Sequence, residues 1–169
     1  MILLMKTKHD ISLTQEPYQS YNGMMDQKTI SGTRSTLHGQ VEKKDLNRYG
    51  LMHGGRLLTL CDEVGYIAAM KHADTDCLTR AAHDIQFLSM LKKGEPYTVY
   101  AKVILTGRTT LWVSCSVKST QKSIMNAVFV YIAVDDNFKS KAVSKINAEN
   151  KSEQQEQEKM LMLMNRVKA

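Results

Sequence analysis

The sequence predicts an α+β fold in which one long helix is buried against an antiparallel β-sheet. Three observations lead to this prediction. Residues 53–72 have the apolar spacing of a helix and carry little charge. Several strand-like segments follow this helix in direct succession. The connections between those segments are short, and short connections join antiparallel neighbours.

The chain before the helix divides into two parts. Residues 1–30 show no sustained helical or strand period and contain Pro17 and the pair Asn22-Gly23. We therefore expect residues 1–30 to form an N-terminal extension. Residues 33–41 are polar and weakly β-prone, which favours a first strand, and residues 45–50 are typical of a turn.

The predicted helix is apolar around most of its circumference. Charge is sparse along it until Lys71. Its apolar positions recur at intervals of three, four and seven residues: Leu57, Leu58, Leu60, Cys61, Val64, Ile67, Ala68 and Ala69. A helix of this kind has to be buried, so we expect the sheet to wrap around it.

Four strands are predicted after the helix, at residues 78–87, 97–105, 111–117 and 124–134. A polar or glycine-containing turn precedes each of the last three strands, at residues 92–96, 106–108 and 119–123. A sheet with only one helix has a second face and two edges to cover. We therefore expect a partner chain at this domain.

The domain limits follow from these elements. A length of 169 residues suits one core and is hardly enough for two. We assign residues 31–137 to the folded domain and residues 138–169 to a C-terminal extension. That extension is predicted to be largely helical, because residues 149–166 are rich in strong helix formers.

Composition limits the classes of function. The 23 Lys and Arg residues exceed the 17 Asp and Glu residues, giving a net charge of +6, which favours an anionic partner without choosing one. The basic residues are scattered instead of forming a stripe with aromatics, so nucleic acid is not expected. No apolar run is long enough for membrane insertion. The three cysteines have no CxxC spacing, which argues against a metal site and for a reducing, cytoplasmic location.

Residues suited to chemistry cluster at the helix start. Gly54 and Gly55 lack Cβ atoms, so a ligand can approach the unpaired N–H groups of the first turn, which suit a developing oxyanion. The alternative is that they only permit tight packing. Asp62 lies two turns further on, in a largely apolar row of the helix. A carboxylate there is costly unless it has a polar partner or a functional role. Pairing with Arg80 or Arg108 and a role as general base or nucleophile both remain open.

Asn47 and His53 flank the turn before the helix. The amide of Asn47 could orient a water or a carbonyl group, or Asn47 could simply be a turn residue. His53 could act as an acid or base, although a histidine at a helix start more often makes a local hydrogen bond.

The order of these residues resembles that of the hotdog-fold acyl-CoA thioesterases. The resemblance covers residues 33–135. It is carried by these segments in sequence: Asn47, Gly50, His53-Gly54-Gly55, Asp62, Asp84-Ile85-Gln86-Phe87, Lys93-Gly94-Glu95 and Gly107-Arg108-Thr109-Thr110. It implies a hotdog fold, with a long central helix wrapped by an antiparallel β-sheet. It also implies a homodimer whose sheets join edge to edge, often assembled further into tetramers or hexamers.

The resemblance also implies catalytic roles. Asp62 would activate water or attack the thioester, and Asn47 would position the water or the thioester. The backbone of Gly54 or Gly55 would hold the thioester oxygen. Because the site in this family lies at the dimer interface, Asn47 and Asp62 could come from different subunits.

Further residues are implied to bind the acyl-CoA substrate. Arg108, Thr109 and Thr110 would approach the nucleotide part of CoA, and His53 would contact substrate beside the glycines. No metal or other cofactor is expected, since CoA is part of the substrate.

The resulting prediction is hydrolysis of an acyl-CoA to a free carboxylic acid and CoA. One alternative is a non-catalytic hotdog module that binds acyl-CoA. Another is a dehydratase, which would need a histidine paired with a carboxylate, and His53 is the only candidate near the glycines. The presence of both Asn47 and Asp62 favours the hydrolase over the binding module.

Overall fold

The computed structural model describes residues 28–120 and 122–168. In chain order the helices and strands are β1 (Ser35–Gln40), α1 (Gly54–Ala73), β2 (Cys77–Phe87), β3 (Pro96–Thr106), β4 (Thr110–Ser119), β5 (Lys122–Ala133) and α2 (Lys151–Lys168). Short 3-10 turns at Ser31–Thr33 and Lys43–Asp45 flank β1. Apart from residues 28–30, the predicted N-terminal extension lies outside the described residues.

The five strands form one antiparallel sheet in the order β1-β3-β4-β5-β2. The long helix α1 lies against one face of this sheet and contacts all five strands. This arrangement confirms the predicted α+β class and the hotdog fold. The strands differ from the predicted ones only by a few residues at their ends.

The helix α1 begins and ends at recognisable signals. His53 is its N-cap, with the side chain accepting a hydrogen bond from the Gly55 amide. At the other end Asp74 adopts a left-handed φ of 50° and its N–H returns to the Met70 carbonyl. Lys71 in the last turn complements the helix dipole. The helix buries the following side toward the sheet: Leu57, Leu60, Cys61, Val64, Gly65, Ala68, Ala69 and His72.

Strand alternation supplies the other half of the core. In β3 the buried inner residues are Tyr97, Val99, Ala101 and Val103, and in β4 they are Leu111, Val113, Cys115 and Val117. Both sets have the period of two that the sequence predicts. The core is therefore a layer of aliphatic side chains between α1 and the inner face of the sheet.

The C-terminal helix α2 covers part of the outer face. Gln157 Nε2 donates to the Ile104 carbonyl at 3.0 Å, and Lys102 Nζ lies 2.6 Å from a carboxylate oxygen of Glu156. Met160 and Leu163 are buried beneath the helix. The helix thus acts as a cover for the sheet face that α1 leaves open. Neither α1 nor α2 combines the length and apolarity of a membrane-crossing helix, which holds for the described part of the chain.

The edge strand β2 stays open. Within the described chain it pairs only with β5, and most of its residues are exposed. Its exposed apolar side chains include Leu78, Ile85 and Phe87. An open edge with this much apolar surface is suited to pairing with another chain, as the sequence predicts for the sheet edges.

Candidate active site

Asp62 lies on α1 in a polar contact with two hydroxyl groups. The Thr79 hydroxyl of β2 donates to Asp62 Oδ1 at 2.8 Å. The Tyr131 hydroxyl of β5 lies 3.1 Å from the same oxygen and 2.9 Å from the Asp62 main-chain carbonyl. No lysine, arginine or histidine in the described residues forms a salt bridge with Asp62. The arginine pairing left open by the sequence is therefore absent from this part of the chain.

Tyr131 is a fully buried donor to this carboxylate. Burial, and then the charge of the neighbouring Asp62, raise the pKa of the Tyr131 phenol far above its ordinary value. The hydroxyl therefore keeps its proton at neutral pH. It serves as a hydrogen-bond donor and not as a base.

Gly65 leaves the space that the Tyr131 hydroxyl occupies. A Cβ at position 65 would lie 2.5 Å from the Tyr131 hydroxyl oxygen and 3.2 Å from Cys115 Sγ. A methyl group cannot share that volume with the hydroxyl. The glycine in the middle of α1 is thus explained by the contact between Tyr131 and Asp62.

The first turn of α1 offers one free amide. The Gly55 N–H donates to His53 Nδ1 at 2.9 Å, and the Arg56 and Leu57 amides donate to the His53 carbonyl. The Gly54 N–H has no hydrogen-bond partner in residues 28–120 and 122–168. Of the two glycines proposed from the sequence, Gly54 therefore presents the open donor, and His53 serves as a local cap.

Asn47 holds the turn before α1. Its Oδ1 accepts the amides of Tyr49, at 2.9 Å, and Leu51, at 3.2 Å. Its main-chain N–H donates to the Leu51 carbonyl at 2.7 Å. The side-chain Nδ2 group has no partner in the described residues. Asn47 is therefore a turn residue whose side-chain Nδ2 group is left without an acceptor in the described part of the chain.

Apolar side chains lie beside the free Gly54 amide. A Cβ at position 54 would be 3.2 Å from the Phe87 ring, so the end of β2 lies against the start of α1. Phe87, Leu88 and Met90 are all more than half exposed. This surface could accept an apolar chain next to the helix N-terminus.

The site residues fall into three separate places in one chain. Gly54 and Asp62 are eight residues apart on α1, which is about 12 Å along the helix axis. The hairpin of Arg108, Thr109 and Thr110 lies at the end of the sheet away from Gly54, because Thr110 pairs with Ile132 beside the start of β2. One chain therefore does not assemble all predicted site residues. Metal-binding clusters of His, Cys, Asp or Glu are absent from the described ranges.

Sequence reasoning misses Thr79 and Tyr131. A threonine is ordinary in a strand, and a tyrosine within the apolar β5 resembles a core residue. The one available signal is Gly65. A glycine inside a helix costs about 1 kcal/mol relative to alanine, which indicates that a close neighbour leaves no space for a Cβ. Even so, the glycine does not identify which side chain fills the space.

Sequence comparison finds similarity to known thioesterases. The family model of the thioesterase superfamily matches residues 49–125. The human cytosolic acyl coenzyme A thioester hydrolase is 27% identical over 133 residues, which cover 74% of this chain and 35% of that protein. The chain therefore spans about a third of the length of this curated relative.

Solved structures show the same fold. The acyl-CoA hydrolase from Staphylococcus aureus, determined with butyryl coenzyme A, coenzyme A and coenzyme A disulfide, has a TM-score of 0.80 and 25% identity. The match covers 83% of this chain and 90% of that one. A hexameric acyl-CoA thioesterase has a TM-score of 0.79 and 26% identity, with 83% of this chain and 94% of that one covered.

Variants of the staphylococcal hydrolase allow one further comparison. Its structure has also been solved with alanine in place of an asparagine, an aspartate and a threonine. Along the chain these three positions are separated by 15 and then 17 residues. Asn47, Asp62 and Thr79 have the same two separations.

Proposed function

We propose that the chain, whose residues 49–125 match the family model of the thioesterase superfamily, hydrolyses the thioester bond of an acyl-CoA to a free carboxylic acid and CoA. The observation that carries this proposal is the setting of Asp62. Its Oδ1 is held by the Thr79 and Tyr131 hydroxyls, while its Oδ2 has no partner in the described residues. A carboxylate fixed through one oxygen and open at the other is suited to act on a water or a thioester.

The proposed site is shared between two copies of the chain. About 12 Å of helix separates Gly54 from Asp62, so one thioester group cannot touch both in the same chain. If two β2 edges pair antiparallel about a two-fold axis near residue 83, Phe87 lies beside Thr79 of the partner subunit. Since Phe87 contacts Gly54 and Thr79 contacts Asp62, this pairing brings Gly54 next to Asp62 of the partner subunit.

The hydrolysis then follows from these groups. The Gly54 amide and the positive end of the α1 dipole hold the thioester oxygen and stabilise the oxyanion. Asp62 takes a proton from water as that water attacks the carbonyl carbon, or attacks the carbon itself before water releases the acid. The C–S bond breaks and the departing sulfur takes a proton, from Asp62 when Asp62 has acted as the base and from water otherwise, so that CoA leaves as a thiol. The Asn47 Nδ2 group positions the water or the carbonyl from its turn.

The nucleotide part of CoA is assigned to Arg108, Thr109 and Thr110. Their hairpin lies at the end of the sheet away from Gly54 in one chain, so it would serve a site that another copy of the chain completes. The net charge of +6 is suited to the phosphates of CoA. The reaction uses water and protein groups, and the proposal includes no metal or other cofactor.

We place this activity in the cytoplasm. Cys61, Cys77 and Cys115 are all unpaired thiols, which is the state that a reducing compartment maintains. Human and rodent relatives are named cytosolic. These observations support the location.

The direct test is release of CoA thiol from a graded series of acyl-CoAs by the purified chain. We expect turnover, with kcat in the usual enzymatic range of about 1–10³ s⁻¹ for the preferred chain length. The thiol is measured with a colorimetric disulfide reagent, and binding is measured in parallel by calorimetry. Binding of acyl-CoA without thiol release across the whole series would overturn the proposal and leave the non-catalytic module.

A further inference from the structure

We propose that Tyr131 is a positioning residue that fixes the Asp62 carboxylate for catalysis, with Gly65 as the residue that admits its hydroxyl. This inference rests on the proposed function. It assigns a role in the site to a residue in the core of β5.

The Tyr131 hydroxyl holds Asp62 at two points. Its single proton lies between the Asp62 main-chain carbonyl, at 2.9 Å, and Asp62 Oδ1, at 3.1 Å. One donor thereby ties the carboxylate to its own backbone and restricts rotation about the side-chain bonds. With Oδ1 held by this proton and by Thr79, Oδ2 is the oxygen left to face a reactant.

Tyr131 is the more rigid of the two donors to Asp62. Within one chain Thr79 lies on the edge strand, next to a register shift, and it is exposed there. Tyr131 projects from a central strand, is fully buried, and packs near the Phe129 ring at a centroid distance of 6.3 Å. A donor anchored in the core can hold the carboxylate to the small tolerances that catalysis demands.

Gly65 leaves the room in α1 that the Tyr131 hydroxyl needs to reach Asp62. A tyrosine that only filled the core would be served equally by phenylalanine, with no polar atom to place. Here the helix carries a glycine at the one point where a Cβ would meet the hydroxyl oxygen, at 2.5 Å. The fold accommodates the hydroxyl itself, and both hydrogen bonds that this hydroxyl makes within the described residues are to Asp62.

The test compares Tyr131→Phe with wild type in steady-state thiol release. The variant keeps the ring and loses only the hydroxyl, so we expect a roughly tenfold fall in kcat with KM within about twofold, the effect of one lost hydrogen bond to a charged group. Thr79→Val and the double variant complete a cycle. Because both donors act on the same oxygen, the double variant should fall by less than the product of the single effects.

The matched control is Tyr97→Phe. Tyr97 is also a buried tyrosine lying against a glycine, since a Cβ at Gly39 would be 2.5 Å from its hydroxyl oxygen, but it makes no hydrogen bond to Asp62. We expect wild-type kcat and KM for Tyr97→Phe. Melting temperatures are measured for every variant.

The outcomes separate the role of Tyr131 from the proposed function. If the wild-type chain hydrolyses acyl-CoA and Tyr131→Phe has the same kcat, the positioning role of Tyr131 is overturned and the proposed hydrolase function stands. A raised KM together with a melting-temperature loss that accounts for the lower kcat also overturns it, because that result indicates a structural role. A wild-type chain that binds acyl-CoA without turnover overturns the function and the role together.

Discussion

Replacing Asp62 with asparagine is expected to lower kcat for acyl-CoA hydrolysis by about 10²–10⁴-fold, the range for loss of a positioned acid–base group. The asparagine oxygen can still accept from the Thr79 and Tyr131 hydroxyls, so the local structure is kept. An amide cannot take a proton from water or attack a thioester. The measurement is steady-state thiol release, with thermal melting to confirm that the variant is folded.

Glu63→Gln is the matched control for this change. Glu63 is the neighbouring carboxylate on α1, is exposed, and lies 3.9 Å from Arg56. We expect its kcat to stay within about twofold of wild type, since exposed ion pairs contribute little. Wild-type activity in Asp62→Asn would contradict the assignment of Asp62, whichever way the control behaves.

Gly65→Ala is expected to cost stability and activity at once. The new methyl group would lie 2.5 Å from the Tyr131 hydroxyl oxygen and 3.2 Å from Cys115 Sγ, so Tyr131 has to move. We expect the free energy of unfolding to fall by about 1–3 kcal/mol, the usual cost of overpacking. This loss outweighs the gain of about 1 kcal/mol that alanine brings to a helix interior. Urea denaturation measures the first effect, and kcat should fall with it as Asp62 loses its donor.

Gly32→Ala is the control for the glycine change. A Cβ at position 32 would meet only Thr29 Oγ1, at an ordinary 3.5 Å. The free energy of unfolding should stay within about 0.5 kcal/mol of wild type, as for most surface changes. An unfolding free energy for Gly65→Ala equal to that of wild type, or higher, would show that the space around the Tyr131 hydroxyl is not limiting.

Local patterns were enough to predict most of the fold. The apolar rows of residues 53–72 mark α1, and period-two alternation marks β3 and β4, because burial on one side imposes these periods directly. Strand ends were harder to place, since backbone pairing continues past the last apolar residue, as at Lys122 in β5. The sequence predicts the C-terminal helix, whereas the contacts that hold α2 on the outer face of the sheet are long-range and do not follow from local patterns.

The site residues that the sequence predicts are those that lie close together along the chain. Asn47, Gly54 and Asp62 follow from a pattern around one helix. Thr79 and Tyr131 meet Asp62 only through the packing of β2 and β5 against α1, and both look like ordinary strand residues. The choice of Gly54 over Gly55 depends on a side-chain cap, which sequence spacing cannot reveal.

The most direct test of a catalytic site shared between two subunits is subunit mixing. Asn47→Ala and Asp62→Asn chains, each expected to be nearly inactive, are mixed in equal amounts and reassembled from urea. If Asn47 and Asp62 of one site come from different subunits, random dimers contain intact sites at about one quarter of the wild-type number.

A second mixture removes the remaining ambiguity. A chain with both substitutions is mixed equally with wild type, and reassembled in the same way. A shared site predicts about one quarter of wild-type activity here too, because every mixed dimer has both sites damaged. Activity near one half in this mixture, with none recovered in the first, would contradict a shared site.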